Sequence, residues 1–245
     1  IAVNTFGMCD PVWINAVTNQ LNKYQHTSNL YYTEPCARLA QLLCEKTGAK
    51  KVFFGNSGAE ANECAIKVAR LWASENKGDE YFNVVTLKNS FHGRTITTLS
   101  ATGQDVFHNY FFPFVEGFIN VEANNIDDLR AKIDDSVCAV MFEAVQGEGG
   151  VIALDEKFVK TIIDECAKRD ILTICDEVQT GVGRTGKFLA SMWFDVKPNI
   201  TTLAKGLAGG VPIGVCMADE KCCDVLSAGT HGSTFGGNPI CCAGG

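Results

Sequence analysis

The sequence predicts an α/β fold, a mostly parallel sheet with helices on both faces. Three observations carry this expectation. Strand-like segments alternate with segments of helical spacing, most strand segments are continuously apolar, and chemically capable residues cluster just past the strands' C-terminal ends. Continuous apolar runs mark strands buried on both faces, and such sheets hold their sites along the carboxyl edge.

The elements follow in order. "CARLAQLLCEKTG" (Cys36 to Gly48) has apolar residues at helical spacing and stops at a glycine. "KVFFGNSG" is a short strand and turn, and "AEANECAIKVARLWASE" a long helix. "YFNVVTLKNS" reads as a strand leading into "FHGRTITTLSATG", and "VCAVMFEAVQGEGG" as a buried strand running into a glycine-rich turn. "EKFVKTIIDECAKRD" is an amphipathic helix, "ILTICDEV" a second fully buried strand, and "NITTLAKGL" and "PIGVCMA" complete the series. The first 35 residues are less regular and are expected to form a separate lobe or arm, leaving 36–245 as the main domain.

Composition narrows the function classes. With 46% hydrophobic residues the 245-residue chain can bury a sizeable core. A formal charge of −7, with no stretch concentrating Lys and Arg, argues against nucleic acid or an anionic membrane as partner. No apolar run approaches the ~20 residues of a membrane span, and the opening residues lack a signal-peptide pattern. Twelve cysteines lie scattered through core-like segments without a C-x-x-C, a spacing that suits buried reduced thiols in a cytoplasmic protein better than a zinc site or a disulfide framework. The chain opens at Ile1 and stops at Gly245 in a Gly/Cys-rich run, which we read as a fragment of a longer protein.

"GVGRTG" (Gly181 to Gly186) matches a dinucleotide fingerprint and, with Lys187, a P-loop. The P-loop version fails at Phe188, where Ser or Thr should hold magnesium. The dinucleotide version fails because Asp176 and Glu177 separate the strand from the glycines, and "KFLASMWFDVKPN" is too short for a helix and a strand. A tight turn near a ligand is the better reading, with a nucleotide-binding module kept as the rival.

Four features fit one site. "GNSGAEANE" (Gly55 to Glu63) is a small-residue turn opening a long helix, hence either a phosphate site or an ordinary cap with Asn56 or Ser57. "SFHGRT" places Phe91 or His92 to stack on a flat ring and Arg94 to fork a carboxylate, or else a core phenylalanine and a surface arginine. "ILTICDEVQTG" ends a buried strand with Asp176 and Glu177, and a carboxylate there needs a partner such as a pyridinium nitrogen or a salt bridge; no metal is expected. Lys205, in "TLAKGLAGG", stands among small residues, where desolvation would lower its pKa and free its amine for an imine. Together these are the requirements of pyridoxal 5'-phosphate (PLP).

The motifs "NSGAEANE", "FHGRT", "QGEGGV", "CDEVQTGVGRTGKF", "LAKGLAGGVPIG" and "HGSTFGGNP" resemble those of class III PLP-dependent aminotransferases, especially acetylornithine/ornithine aminotransferases, through nearly the whole chain. The resemblance implies the fold-type I large domain, with the family's small C-terminal domain absent from this chain. It implies that Lys205 holds PLP as an imine, that Asp176 pairs with the ring nitrogen, and that Val178 and Phe91 cover the two ring faces. It places His92 at the cofactor, Gln179 near the ring hydroxyl, and Ser57, Gly58 and Ala59 at the phosphate. Arg94 resembles an arginine that takes a substrate carboxylate, and Glu143 and Glu148 resemble acids on the substrate side, Glu148 the better match to the partner of a substrate-switching arginine. Ser233 and Thr234 resemble residues that cross a homodimer interface, Thr234 to the neighbour's phosphate and Ser233 to its substrate. Ala59 departs from the threonine of many relatives and forgoes a hydroxyl donor worth ~1 kcal/mol.

The expected activity is transfer of the terminal amino group of acetylornithine, or a related ω-amine, to 2-oxoglutarate in arginine biosynthesis. Ornithine and 4-aminobutyrate are the alternative donors, and a sister mutase the alternative reaction. Arg94 and "HTSNLYYTEP" lean towards acetylornithine, with Tyr31 and Tyr32 either shaping the pocket or packing on a partner subunit.

Overall fold

β4 (Val137–Phe142) is buried along its whole length, as its unbroken apolar run requires, and stands inside a seven-stranded sheet. In this computed structural model, which describes residues Ile1–Gly245, the other strands of that sheet are β1 (Lys51–Gly55), β2 (Asn83–Leu87), β3 (Phe118–Val121), β7 (Leu172–Asp176), β8 (Ile200–Leu203) and β9 (Gly214–Ala218). Their order is β1-β9-β8-β7-β4-β2-β3. β5 (Val145–Gln146) and β6 (Ile152–Ala153) form a separate hairpin over the "QGEGG" turn.

All pairs from β8 to β3 are parallel, while β9 runs antiparallel to both β8 and β1. The connection from β8 to β9 explains the reversal. It holds only a 3₁₀ turn (Lys205–Leu207), whereas a parallel return needs a crossover of roughly a dozen residues or more. The carboxyl ends of β7 and β8 therefore meet the amino end of β9 beside the turn that follows β1.

Alternation along the strands feeds two cores. Ala139, Met141 and Ile174 face α3 (Gly58–Asn76), whereas Val140, Phe142 and Cys175 face α6 (Glu156–Arg169) and α5 (Ile126–Lys132). α3 presents Ala61, Ala65, Ala69 and Ala73, all fully buried, at four-residue spacing, so its backbone lies close on the sheet. On the other face Phe158 and Ile162 of α6 are buried, each worth about 2–3 kcal/mol of apolar transfer. α2 (Glu34–Thr47) ends where Gly48 turns left-handed at φ 75°, as its final glycine predicts, although it begins at Glu34, two residues before the expected Cys36.

α1 (Pro11–Leu21) packs with α2 against α7 (Pro239–Gly244). The opening segment is tied to the main body: Thr5 Oγ1 donates to the Gly206 carbonyl and Trp13 Nε1 to that of Ala208. α4 (Ile96–Ala101) completes the helices. No helix is long and apolar enough to cross a membrane. All twelve cysteines are free thiols, and eight are buried.

Candidate active site

At the carboxyl edge, three strand ends and one helix start surround a cavity of about 420 Å³. Its size suits a cofactor or small metabolite. A groove of about 540 Å³ between α1, α2 and α7 contains none of the expected site residues.

The floor belongs to β7. Asp176 is 3% exposed, and its Oδ2 accepts from Asn62 Nδ2 at 2.7 Å and lies 2.8 Å from His92 Nδ1. Its Oδ1 accepts the backbone N–H of Val178 at 3.0 Å. Thr202 spends its hydroxyl proton on Asn62 Oδ1 at 2.8 Å, which fixes the amide that holds Asp176. A carboxylate has about four acceptor sites, so Oδ1 retains capacity for one more N–H donor. Glu177, its neighbour, points away: its oxygens accept the N–H groups of Ala190 and Ser191 and the Thr180 hydroxyl, which makes it the anchor of the following loop.

Lys205 lies just past β8, after Ala204, with φ 44°, in the left-handed region that a side chain rarely adopts. Its side chain is half-buried and its ammonium makes no hydrogen bond or ion pair, although Asp176 and Thr202 beside it are both engaged. Burial pushes its pKa down, against the opposing pull of Asp176, Glu148 and Glu143. An amine that loses its proton readily is the nucleophile imine chemistry needs.

The third wall is the turn from β1 into α3. Ser57 caps the helix by accepting from the N–H of Glu60, while Glu60 reaches back to the backbone and side-chain N–H groups of Asn56. Gly58 and Ala59, whose N–H groups have no partner inside the helix, line the cavity. A Cβ at Gly58 would come within 2.8 Å of Val178 Cγ1, so glycine lets Val178 lie against the turn. At Gly214 a Cβ would collide with the Ser57 carbonyl, so the start of β9 sets the height of the turn.

On the rim, Phe91 and Arg94 line the cavity just beyond β2. Arg94 is exposed, and its guanidinium carbon lies 5.6 Å from the Phe91 ring centroid and 4.7 Å from that of Phe107. The other arginines are occupied: Arg38 by Glu34, Arg70 by two carbonyls, Arg130 and Arg169 by Glu165, and Arg184 by the Asn4 carbonyl. Arg94 alone keeps its five donors free. Glu143, 2% exposed, accepts the N–H of Phe91 at 3.0 Å. Burial pushes its pKa up to about 7, with His92 lowering it and Asp176 raising it further.

The cavity thus brings together Ser57, Gly58, Ala59, Phe91, His92, Arg94, Glu143, Asp176, Val178, Gln179 and Lys205. Between the two stacking candidates the geometry separates roles: Phe91 is at the rim, while the His92 ring is engaged with Asp176 and its buried Nε2 has no protein partner. Glu148 is exposed and outside the lining. Ser233 and Thr234 line a separate groove with Glu60, Lys67 and His231, where Ser233 Oγ accepts from Asn56 Nδ2. Tyr31 and Tyr32 are 69% and 104% exposed and do not line the cavity. Asn62, Thr202 and Phe107 were missed by sequence reasoning. Asn62 did carry a signal, being a poor helix former inside an otherwise apolar helical face.

The "GVGRTGK" loop is no phosphate cradle. It leads into turns and a short 3₁₀ segment instead of a helix, and Lys187 Nζ is spent on the Met192 carbonyl and over the Trp193 ring.

These residues fit pyridoxal phosphate. A helix start stands where a phosphate needs N–H groups, Asp176 keeps acceptor capacity for a ring N–H, and Lys205 has a free amine. The comparisons agree. The sequence pattern of the aminotransferase class-III family matches residues 1–244. The chain is 53% identical over 244 residues to acetylornithine aminotransferase of Haemophilus ducreyi, covering 99% of this chain and 62% of that protein. It is 49% identical to the acetylornithine aminotransferase of Caldanaerobacter subterraneus, covering 100% and 62%. The solved ornithine aminotransferase of Toxoplasma gondii superimposes with a TM-score of 0.93 at 38% identity, covering 97% of this chain and 57% of that one. The N-acetylornithine aminotransferase of Stenotrophomonas maltophilia gives 0.84 at 36%, covering 100% and 59%. The chain therefore spans about three fifths of the length of these relatives. With the fold and the site in place and the family pattern spanning residues 1–244, this chain belongs to the class-III aminotransferases.

Proposed function

We propose that this chain is the cofactor-binding part of a PLP-dependent aminotransferase that moves the terminal amino group of acetylornithine, or a related ω-amine, to 2-oxoglutarate in arginine biosynthesis. One observation carries the reading: Lys205 and Asp176, at the ends of neighbouring strands, line one cavity whose third wall is a helix start. The 49–53% identity to acetylornithine aminotransferases supports that donor over 4-aminobutyrate. Ornithine is the second reading, supported by the structural likeness to the Toxoplasma enzyme.

When bound, pyridoxal phosphate supplies an aldehyde that condenses with amines and a ring that takes up the electrons of the adjacent carbanion. The chain's residues do the rest. Lys205 Nζ would hold the cofactor and, as a free amine, would be the base placed to take the proton from the donor's amine-bearing carbon. Burial lowers its pKa and so favours the neutral amine relative to an ordinary lysine. Asp176, held by Asn62 and His92, keeps a proton on the ring nitrogen. Gly58, Ala59 and Ser57 bind the phosphate, Val178 and Phe91 enclose the ring, and Gln179 takes the ring hydroxyl. Arg94 binds a substrate carboxylate, with Glu143 in the same cavity lining and Glu148, outside that lining, acting on Lys205 through its charge.

The active unit in this proposal is a homodimer. Ser233 and Thr234 lie in a separate surface groove, and Tyr31, Tyr32 and Phe235 are exposed, which suits residues that serve a neighbouring subunit. Free and mostly buried thiols suit a cytoplasmic setting.

In the full-length protein, Lys205→Ala should abolish both turnover and the visible imine band. A variant that still transaminated acetylornithine at the normal rate would overturn the assignment. Turnover with acetylornithine, ornithine and 4-aminobutyrate compared side by side would fix the donor.

A further inference from the structure

Arg94 lies between two aromatic rings, and only one of them belongs to the cavity wall. Phe91 lines the cavity; Phe107 does not. Yet Phe107 is the closer partner, with the guanidinium carbon 4.7 Å from its centroid against 5.6 Å for Phe91. The two rings meet edge to face at 5.7 Å and 70°. An exposed arginine without a hydrogen bond would ordinarily sample many rotamers. Stacking removes that freedom before a ligand arrives and leaves the donors at the edge of the planar ion available.

Phe107 is itself held in place. It lies in a single 3₁₀ turn, Asp105–His108, whose two flanks are tied down. Before it, the Asn89 N–H donates to the Gly103 carbonyl, the Gly103 N–H to Ser90 Oγ, and Gln104 Nε2 to the Ser90 carbonyl. A Cβ at Gly103 would collide with the Leu87 carbonyl, so the loop passes flush against the end of β2. After it, His108 Nε2 lies 2.9 Å from the Leu99 carbonyl and its ring meets Phe114 edge-on at 5.1 Å. The loop carrying Phe107 is thus fixed to the same strand end that carries Phe91 and Arg94.

We propose that Phe107 is a positioning residue: its ring face orients the Arg94 guanidinium at the mouth of the cavity for the carboxylate of the donor or acceptor. This rests on the reading of Arg94 as the carboxylate-binding residue. Phe107 lies outside the cavity lining and acts through Arg94.

The test uses the full-length protein and two readouts. Calorimetric binding of glutarate, a dicarboxylate that cannot be transaminated, reports the site without turnover. Steady-state kinetics with acetylornithine and with a primary monoamine lacking a carboxylate report it during turnover. Phe107→Leu keeps the apolar bulk and loses the ring face. It should weaken glutarate binding and raise KM for acetylornithine about 3- to 10-fold, with kcat within about 2-fold and the monoamine KM unchanged. Phe107→Tyr, which keeps the ring face, should behave as the wild type and guards against a folding defect in the leucine variant. In an Arg94→Gln background Phe107→Leu should add nothing. Equal effects on both amines, or a full additive effect on top of Arg94→Gln, would overturn the role of Phe107. Wild-type binding and kinetics in Phe107→Leu, alongside a weakened Arg94→Gln, would overturn it while sparing Arg94. Should Arg94→Gln itself leave glutarate binding intact, the carboxylate reading of Arg94 falls and this inference falls with it.

Discussion

The floor and the rim of the cavity are held by opposite means. On the floor Asp176, Asn62, His92 and Thr202 are all at most 3% exposed, and their hydrogen bonds join α3, the segment after β2, β7 and β8. On the rim Arg94 is exposed, has no hydrogen bond, and is oriented by two ring faces. A buried carboxylate must be satisfied before a ligand comes, or it destabilises the fold. A rim cation with the role proposed for Arg94, releasing one carboxylate and accepting another, is better held by contacts that leave its donors open. Position is secured on the floor by buried hydrogen bonds and on the rim by stacking.

Removing one member from each side gives the largest contrast. Asp176→Ala leaves the Asn62 amide and His92 Nδ1 without their acceptor, and should cost about 2–4 kcal/mol of stability as well as turnover. Arg94→Ala should change stability by less than about 0.5 kcal/mol. Denaturant melts of the two variants measure this directly, and comparable losses would erase the distinction.

A middle-sized effect concerns Glu143, which is buried like the floor yet serves the rim by holding the Phe91 N–H. Burial raises its folded-state pKa to about 7 from an ordinary 4.5, so the folded protein binds the extra proton within that window. Stability from this group is complete below about pH 4.5 and is lost as pH rises through about 7. Glu143→Gln should flatten that part of the profile, gaining on the order of 2 kcal/mol relative to wild type at pH 8. Melts from pH 5 to 8 would show the slope vanish, and an unchanged slope would assign it to another group.

The smallest effect tests the helix start proposed to hold the phosphate. Ala59→Thr restores a hydroxyl beside the helix start and should tighten PLP binding by about fivefold, ~1 kcal/mol. Equilibrium titration of the apo-protein with PLP would measure it, and weaker binding would mean that the turn has no room, since the Ala59 methyl faces Gly93, where an added Cβ would come within 2.9 Å of it.

Much of this was legible in the sequence because local rules wrote it. Strand runs such as Val137–Phe142 are apolar without interruption, Gly48 ends α2, Ser57 caps α3, and the reactive residues follow strand ends. What escaped depends on contacts between distant segments. Asn62 meets Asp176 across 114 positions, and Thr202 meets Asn62 across 140. Phe107 reaches Arg94 only because the loop after α4 folds back onto the end of β2. Asp176 and Glu177 look alike as text, and it is the sheet that turns one into the cavity and the other into the loop anchor. His92 reads as an aromatic plate, yet the depth of its burial makes it a hydrogen-bonding partner of Asp176.

The scattered thiols equip this molecule with its own set of reporters. Cys9 is exposed, whereas Cys138 faces the α3 core and Cys166 the α6 core, both with pKa values pushed up to about 12 by burial. A thiol-modifying reagent would label Cys9 at once and the two core thiols only as their surroundings open. Mass spectrometry of the labelled chain would then time the loosening of the two faces of the sheet separately, with no probe introduced by mutation.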